Sequence, residues 1–305
     1  MCGLYRSFKH MLVRTFIGTV VLLCAVPFAY SQNTNKLQQQ IAQLITASKA
    51  TVGLSMLHLE NNQRVSINAD KHYPMLSVFK FHTALTVMHK VDNGELSLKQ
   101  MLHLKKSDLL ENTWSPFREK YPDADVSINL KEAIEWMVIT SDNNMCDVLL
   151  RLVGGIDTVD SFINSPDFVI KNNEEAMHES WGAQFLNTTT PGNATLLLKQ
   201  FYEQKLLTKK SSRFLYKTMV ANTVGQNRMK AKLPVKTIVA HRTGTSFTND
   251  AGLTGAVNNI GIVTLPNGDH VAIAVFVHNT TAPVAHAEAL IADITKVIWN
   301  FYARE

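Results

Sequence analysis

The sequence predicts an α/β protein of the α+β kind, with an antiparallel sheet built from both ends of the chain and a helical layer built from its middle. Three observations predict it. Strand-like alternation is confined to about residues 51–68 and 237–278, the stretch between carries apolar residues at helical spacing, and Asn61-Asn62 and Pro266-Asn267-Gly268 are turn signals that would join neighbouring strands as hairpins. Sheet-rich ends around a helical middle place the two layers side by side, and the cleft between them is the natural pocket.

Taken in order, Leu37, Ile41, Leu44 and Ile45 mark one face of a helix over Asn35–Lys49. Thr51–Leu59 alternates as a strand, and Val65–Asn68 returns beside it. Ser77–Val91 is helical, with Phe81, Leu85, Met88 and Val91 among its apolar positions. Further helices follow at about Leu130–Thr140, Asn143–Val153, Asp157–Ile163, Ala194–Gln204 and Ser211–Ala221. Strands resume at Thr237–Thr245, Val257–Leu265 and Val271–His278, and an amphipathic helix closes the chain over Val284–Tyr302. Repeats, low-complexity tracts and long linkers are absent, so one catalytic domain over 32–305 is expected, its sheet layer from about 32–75 and 226–305 and its helical layer from about 76–225.

Residues 1–31 read as an export signal. Arg6, Lys9 and Arg14 precede an apolar run from Thr15 to Phe28, and Ala29-Tyr30-Ser31 offers small residues for cleavage after Ser31. The run is shorter than the roughly 20 residues a spanning helix needs, so no stable membrane association is expected after cleavage, and the location implied is the periplasm. Leu23 before Cys24 is too bulky for a lipidation signal. Removing the signal lowers the net charge from +5 to +2, 27 basic against 25 acidic residues, a balance that argues against a nucleic-acid partner. Cys146 alone of three cysteines survives processing, so no internal disulfide is expected. Its neighbours Met145, Val148, Leu149 and Leu150 imply a buried thiol.

Three short segments carry the chemistry. Ser77-Val78-Phe79-Lys80 sets a hydroxyl and an amine one helical turn apart, the pairing by which a base activates a serine nucleophile. A Ser-x-x-Lys occurs about once by chance in a chain of this length, so it gains meaning only in company with the other two segments. Ser141-Asp142-Asn143 opens a helix with a hydroxyl and an amide, and Arg242-Thr243-Gly244-Thr245 lies on a strand, a cation beside two hydroxyls that suits a carboxylate. Gly244 would let backbone approach a ligand. Backbone N–H groups of Ser77 and Thr245 could converge as an oxyanion hole. Taken alone, each segment is more simply a helix cap or a strand end. Order and spacing together point to acyl transfer. Glu174 and His178 stand four apart, but without a second ligand pair they do not read as a metal site, and no metal or cofactor is expected.

With these segments in place, the chain resembles the class A serine β-lactamases over the whole mature sequence, and within them the extended-spectrum PER and VEB types. The resemblance rests on Ser77–Phe81, Asn112–Pro116, Ser141–Asn143, Glu174–His178 and Val239–Ser246. It implies a serine β-lactamase/penicillin-binding-like fold: a five-stranded antiparallel sheet flanked by helices, an all-helical subdomain, and the active site in the cleft between. It further implies Ser77 as nucleophile, Lys80 or Glu174 through a water as the base for acylation, Ser141 as proton relay to the leaving nitrogen, and Glu174 as the base that activates the deacylating water. Asn143, His178, Thr243, Gly244 and Thr245 would bind substrate with Arg242, Arg228 would be an auxiliary carboxylate binder, and Trp114 a wall of the pocket mouth. Three positions depart from the family's usual pattern: Arg242 replaces a lysine, His178 an asparagine and Asp147 an asparagine, so the loop carrying Glu174 could fold differently. The expected partners are small β-lactams, and the expected state is a monomer. The competing readings are a penicillin-binding DD-peptidase or transpeptidase and a non-hydrolytic β-lactam sensor. Glu174 and a mature chain of 274 residues favour the hydrolase.

Overall fold

The computed structural model describes residues 25–48 and 50–303; most of the expected export signal, residues 1–24, lies outside them. Helix α1 covers Ala25–Ser48, so it begins ten residues before the expected Asn35 and runs through the expected cleavage point after Ser31. Among the described residues no helix is long and apolar enough to cross a membrane.

Five strands form the main sheet: β1 Thr51–His58, β2 Arg64–Ile67, β3 Val239–Thr245, β4 Thr254–Thr264 and β5 His270–Thr280. Their order is β2-β1-β5-β4-β3, antiparallel throughout. The two ends of the chain thus share one sheet, which requires β5 to lie against β1 with Thr51 opposite His278 and His58 opposite Val271.

Both faces of this sheet are covered, and β5 shows how the sequence encodes that. Val271, Ile273, Val275 and Val277 belong to one apolar cluster, and Ala272, Ala274 and Phe276 to the other. A strand buried on both sides reads as a continuous apolar run instead of alternating with polar residues. The branched side chains meet Leu37 and Ile41 of α1 and Ile291, Ile294 and Ile298 of α9, Val284–Tyr302. The opposite face is lined by small residues. Gly53, Ser55, Ala272 and Ala274 let α7, Pro191–Tyr202, sit close, and Ser55 Oγ lies 2.8 Å from Thr195 Oγ1 on it. A Cβ at Gly53 would stand 2.3 Å from the Tyr73 ring, so this position excludes every larger residue.

The helical layer comprises α2 Phe79–Asp92, α3 Leu130–Ile139, α4 Asn143–Val153, α5 Ile156–Ile163, α6 Glu174–Met177 and α8 Lys209–Val220. Side-chain oxygens cap their starts where the sequence offers them: Asn129, Asp142, Asn173 and Thr208 accept from backbone N–H groups of α3, α4, α6 and α8. Helix α2 runs through the middle of this layer and is buried over its first ten residues.

One boundary is corrected. The strand expected from Val257 begins at Thr254, and Thr248 already bridges to Thr254, so the connection between β3 and β4 is shorter than those strand bounds imply. Thr254-Gly255-Ala256 carries no apolar alternation because Gly255 lies under the Phe185 ring, which a Cβ would approach to 2.3 Å.

Two buried histidines set an acid limit on this fold. Burial lowers His82, stacked on Phe168 at 4.5 Å, from 6.5 to about 3, and lowers His241 of β3 likewise to about 3. Between about 3 and 6.5 the unfolded chain binds more protons, so their contribution is fully present above 6.5 and lost as pH falls through that window, with a slope of up to ~1.4 kcal/mol per pH unit for each. His82→Leu removes one titrating ring, so it should flatten the stability profile by about one proton. Urea midpoints at pH 5 and 7.5 check this; a variant as acid-sensitive as the parent contradicts it.

Candidate active site

Ser77 sits in a single 3-10 turn, Leu76–Val78, that leads into α2, so it precedes the α-helix instead of opening it. Leu76 before it has φ 47°, and Ser141 across the cleft has φ 62°. Left-handed backbone at two non-glycine residues is strain held by surrounding structure. Lys80, in the first turn of α2, is wholly buried. Its Nζ lies 2.7 Å from Ser77 Oγ, 2.6 Å from Asn143 Oδ1 and 2.5 Å from Glu174 Oε1. Two hydrogen bonds and one ion pair thus engage the ammonium. A buried cation needs this pairing, since burial without partners costs several kcal/mol.

Glu174 reaches Lys80 because two side chains hold its short helix. Asp147 of α4 accepts the backbone N–H groups of both Glu174 and Glu175, at 2.8 and 2.9 Å, and Asn173 caps the helix through Ala176 N. Asn187 anchors the approach to it, accepting from Lys171 N and Asn172 N. Glu174 is buried and faces the cleft; Glu175 is exposed. His178 ends the helix with Nδ1–H donating to the Glu174 carbonyl at 2.7 Å, while its Nε2 lies 3.4 Å from Thr113 Oγ1. Thr113 in turn accepts from Asn143 Nδ2 at 2.7 Å, so a chain of contacts closes from Glu174 back to Lys80.

The Ser141 segment is fastened by its middle residue. The Asp142 carboxylate accepts from Ser115 Oγ, Phe117 N and Met145 N. Burial raises its pKa even so. On the sheet side Arg242 is fully buried and donates to the Val138 carbonyl (2.8 Å), the Ser77 carbonyl (3.0 Å) and Ser141 Oγ (2.9 Å). Burial pushes it down to about 10, so it stays charged at neutral pH. This corrects the expectation of a cation facing a ligand beside two hydroxyls: Thr243, Gly244 and Thr245 line the cleft, and Arg242 lies beneath Ser141 and acts through it. Gly244 is required by close packing on Met75, whose carbonyl oxygen would stand 2.2 Å from a Cβ.

Arg228 is corrected in the same way. The expected auxiliary carboxylate binder is 3% exposed, pairs with Glu288 at 3.2 Å and donates to the Gly244 and Asn258 carbonyls and to Thr245 Oγ1. It supports the cleft end of β3 from behind. Trp114 does stand at the rim, 54% exposed and lining the cleft, with Nε1 donating to the Thr140 carbonyl.

Ser77, Ser141, Asn143, Glu174, Thr243 and Thr245 line a cleft of about 500 Å³. Sequence reasoning missed Trp181, Gln184, Val224 and Phe247 on its walls. Phe247, 67% exposed, meets the His178 ring edge-on at 6.1 Å, so the β3–β4 connection touches the loop of Glu174. A large apolar residue exposed in a polar loop was the available signal.

The β-lactamase enzyme family model matches residues 36–302. Beta-lactamase VEB-1 of Pseudomonas aeruginosa is 40% identical over 95% of this chain and 97% of its own length. The extended-spectrum beta-lactamase PER-1 of the same organism is 35% identical, covering 93% of each. A solved structure of a representative class A beta-lactamase from Bacteroides cellulosilyticus superposes with a TM-score of 0.86 at 38% identity, over 90% of this chain and 99% of that one.

The Asp147 contact yields a test. Burial, with the Glu174 charge beside it, raises Asp147 from 3.8 to about 6. Its folded value is the higher one, so between 3.8 and about 6 the native state binds more protons, and this contribution is fully present below 3.8 and lost as pH rises through 6. Asp147→Ala should abolish that dependence and leave two N–H groups of α6 unpaired. The displaced Glu174 should slow turnover on the order of 10²-fold. Steady-state kinetics check this; full turnover would show that Asp147 does not position the loop.

Proposed function

Because this chain belongs to the β-lactamase enzyme family and stands with its class A members, we infer that it hydrolyses the amide bond of β-lactam antibiotics through a serine acyl-enzyme and so confers resistance to them. The observation that carries this reading is the relay Ser77 Oγ, Lys80 Nζ, Glu174 Oε1, with steps of 2.7 and 2.5 Å on the floor of the cleft. A peptidase or a sensor needs the first two groups to form an acyl-enzyme. A carboxylate beside the serine is what a hydrolase needs to remove it.

In this reading the Lys80 ammonium gives one proton to Glu174 and, now a neutral amine, takes the Ser77 proton as Ser77 Oγ attacks the lactam carbonyl carbon; both contacts are short, 2.7 and 2.5 Å. The amide N–H groups of Ser77 and Thr245 stabilise the oxyanion. As the carbon–nitrogen bond breaks, Ser141 delivers a proton to the leaving nitrogen, and the Arg242 guanidinium on Ser141 Oγ orients that hydroxyl. Asn143 and Thr243 hold the substrate's polar groups. Once the proton held by Glu174 has returned through Lys80 to replace the one Ser141 gave up, the Glu174 carboxylate takes a proton from water as the water attacks the ester, and that proton passes to Ser77 Oγ as the ester bond breaks and Ser77 is regenerated. Arg228 contributes by fixing Thr245, and His178 by fixing Glu174 and the Phe247 rim.

The substrates are penicillins and cephalosporins. The aromatic rim of Trp114, Trp181 and Phe247 supports extension to oxyimino cephalosporins, a spectrum in keeping with the extended-spectrum name that PER-1 carries. The enzyme acts as a monomer in the periplasm.

Ser77→Ala should remove all but trace hydrolysis while leaving the melting temperature near that of the parent, since the covalent step loses its nucleophile; substantial turnover would refute the mechanism. Glu174→Gln keeps the shape and removes the base, so the acyl-enzyme should accumulate by intact mass and turnover should fall about 10²–10⁴-fold after a stoichiometric burst. Glu175→Gln, exposed and away from Lys80, should deacylate normally. Trapping by Glu175→Gln alone would move the base to that residue, and normal deacylation in both would favour the peptidase or sensor.

A further inference from the structure

At the end of the sheet remote from the cleft, His58, Glu60 and Asp269 offer ligand atoms within 4.8 Å of one another, and among the described residues no other three histidine, cysteine or carboxylate side chains gather so closely. Their origin is topological. His58 ends β1, Glu60 follows it in the turn to β2, and Asp269 sits in the hairpin between β4 and β5; pairing of His58 with Val271 brings the two turns together. Along β3 this end corresponds to Val239 and the cleft end to Thr245, six residues or about 20 Å away.

We propose that His58, Glu60 and Asp269 form a binding site for a divalent transition-metal ion of the zinc type, which ties the β1–β2 turn to the β4–β5 hairpin. One neutral imidazole and two carboxylates balance a 2+ charge, and imidazole with carboxylate is a donor set that zinc accepts. The spacing fits. Ligand atoms about 2.1 Å from a tetrahedral ion stand about 3.4 Å from one another. His58 Nδ1 lies 3.4 Å from Glu60 Oε2, and His58 Nε2 lies 3.5 Å from Asp269 Oδ2. Both exceed the roughly 2.7–2.9 Å of a charge-assisted hydrogen bond. Asn61 N–H donates to His58 Nδ1 at 3.3 Å, so an ion takes either Nε2 beside Asp269, with Glu60 swinging toward it, or Nδ1 beside Glu60, displacing that contact and drawing in Asp269. Glu60 and Asp269 are 35% and 39% exposed and stand on turns, which permits that movement and leaves a solvent path, while His58 itself is 1% exposed and fixed.

The surroundings hold the ligands in place. Glu60 accepts from His270 N at 3.0 Å, and its Oε1 lies 3.1 Å from His270 Nδ1 and 3.3 Å from Tyr202 Oη. Asp269 accepts from Asn267 Nδ2 at 3.0 Å. Support of this kind orients metal ligands and raises affinity. The expectation from the sequence was of no metal at all, because these ligands come from opposite ends of the chain and no spacing motif joins them.

Titration calorimetry with zinc chloride at pH 7.5 should show one site with a dissociation constant in the micromolar range, and zinc at a hundredfold excess over that constant should raise the melting temperature by several degrees, reversed by EDTA. Glu60→Gln and Asp269→Asn, both on exposed turns, should each weaken binding at least tenfold and remove the thermal response, with β-lactam hydrolysis unchanged. Absence of binding below millimolar zinc would overturn the proposal. So would equal affinity in both variants, which would place the ion elsewhere, for instance at the exposed pair His103 and Asp125.

Discussion

The structure of the site depends on one constraint, that the ammonium of Lys80 is out of water. A charge so placed is tolerable only where acceptors converge on it, and the three that do come from three separate segments: Ser77 from the turn before α2, Asn143 from the start of α4, and Glu174 from α6. Satisfying the lysine therefore assembles a serine hydroxyl, a side-chain amide and a carboxylate in one place. The same requirement extends outward. Glu174 must be carried to Lys80, so Asp147 binds the first amides of α6 and His178 binds its last turn.

Arg242 applies the same constraint from the sheet. Its guanidinium reaches a carbonyl of α3, the Ser77 carbonyl and the Ser141 hydroxyl, so a single buried cation joins β3 to both serine segments. A lysine could not hold these acceptors in the same fixed fork, since its three protons rotate on one nitrogen. Arg228 repeats the device one layer back, with two carbonyls and the Thr245 hydroxyl as its acceptors. Both arginines thus build the cleft wall and leave its surface to Thr243, Gly244 and Thr245.

The sheet supplies the rigidity that these contacts need. Branched residues fill the face toward α1 and α9, and glycine, serine and alanine on the other face bring α7 close, so the strand ends that form the cleft are anchored on both sides. The same topology gathers His58, Glu60 and Asp269 at the far end. Pairing β1 with β5 serves both ends of the sheet at once.

Much was determined by local order in the sequence. Periodicity along β1, β5, α2 and α4, the turn at Asn267-Gly268, and the spacing of Ser77 to Lys80 each depend on near neighbours, so the layers, the five strands and the serine–lysine pair were legible before any tertiary contact was known. Tertiary structure decided everything that joins distant segments. The orientation of Arg242 and Arg228 depends on which carbonyls lie behind β3, and a strand pattern says only that a residue faces one side. That Glu174 and not Glu175 meets Lys80 follows from Asp147 capping α6 across 27 residues of chain. The walls formed by Trp181 and Phe247, and the gathering of His58, Glu60 and Asp269, come from loops whose neighbours in space are not neighbours in sequence. The physical reason is common to all of these: periodicity reports which face of an element is buried, while long-range pairing decides what it is buried against.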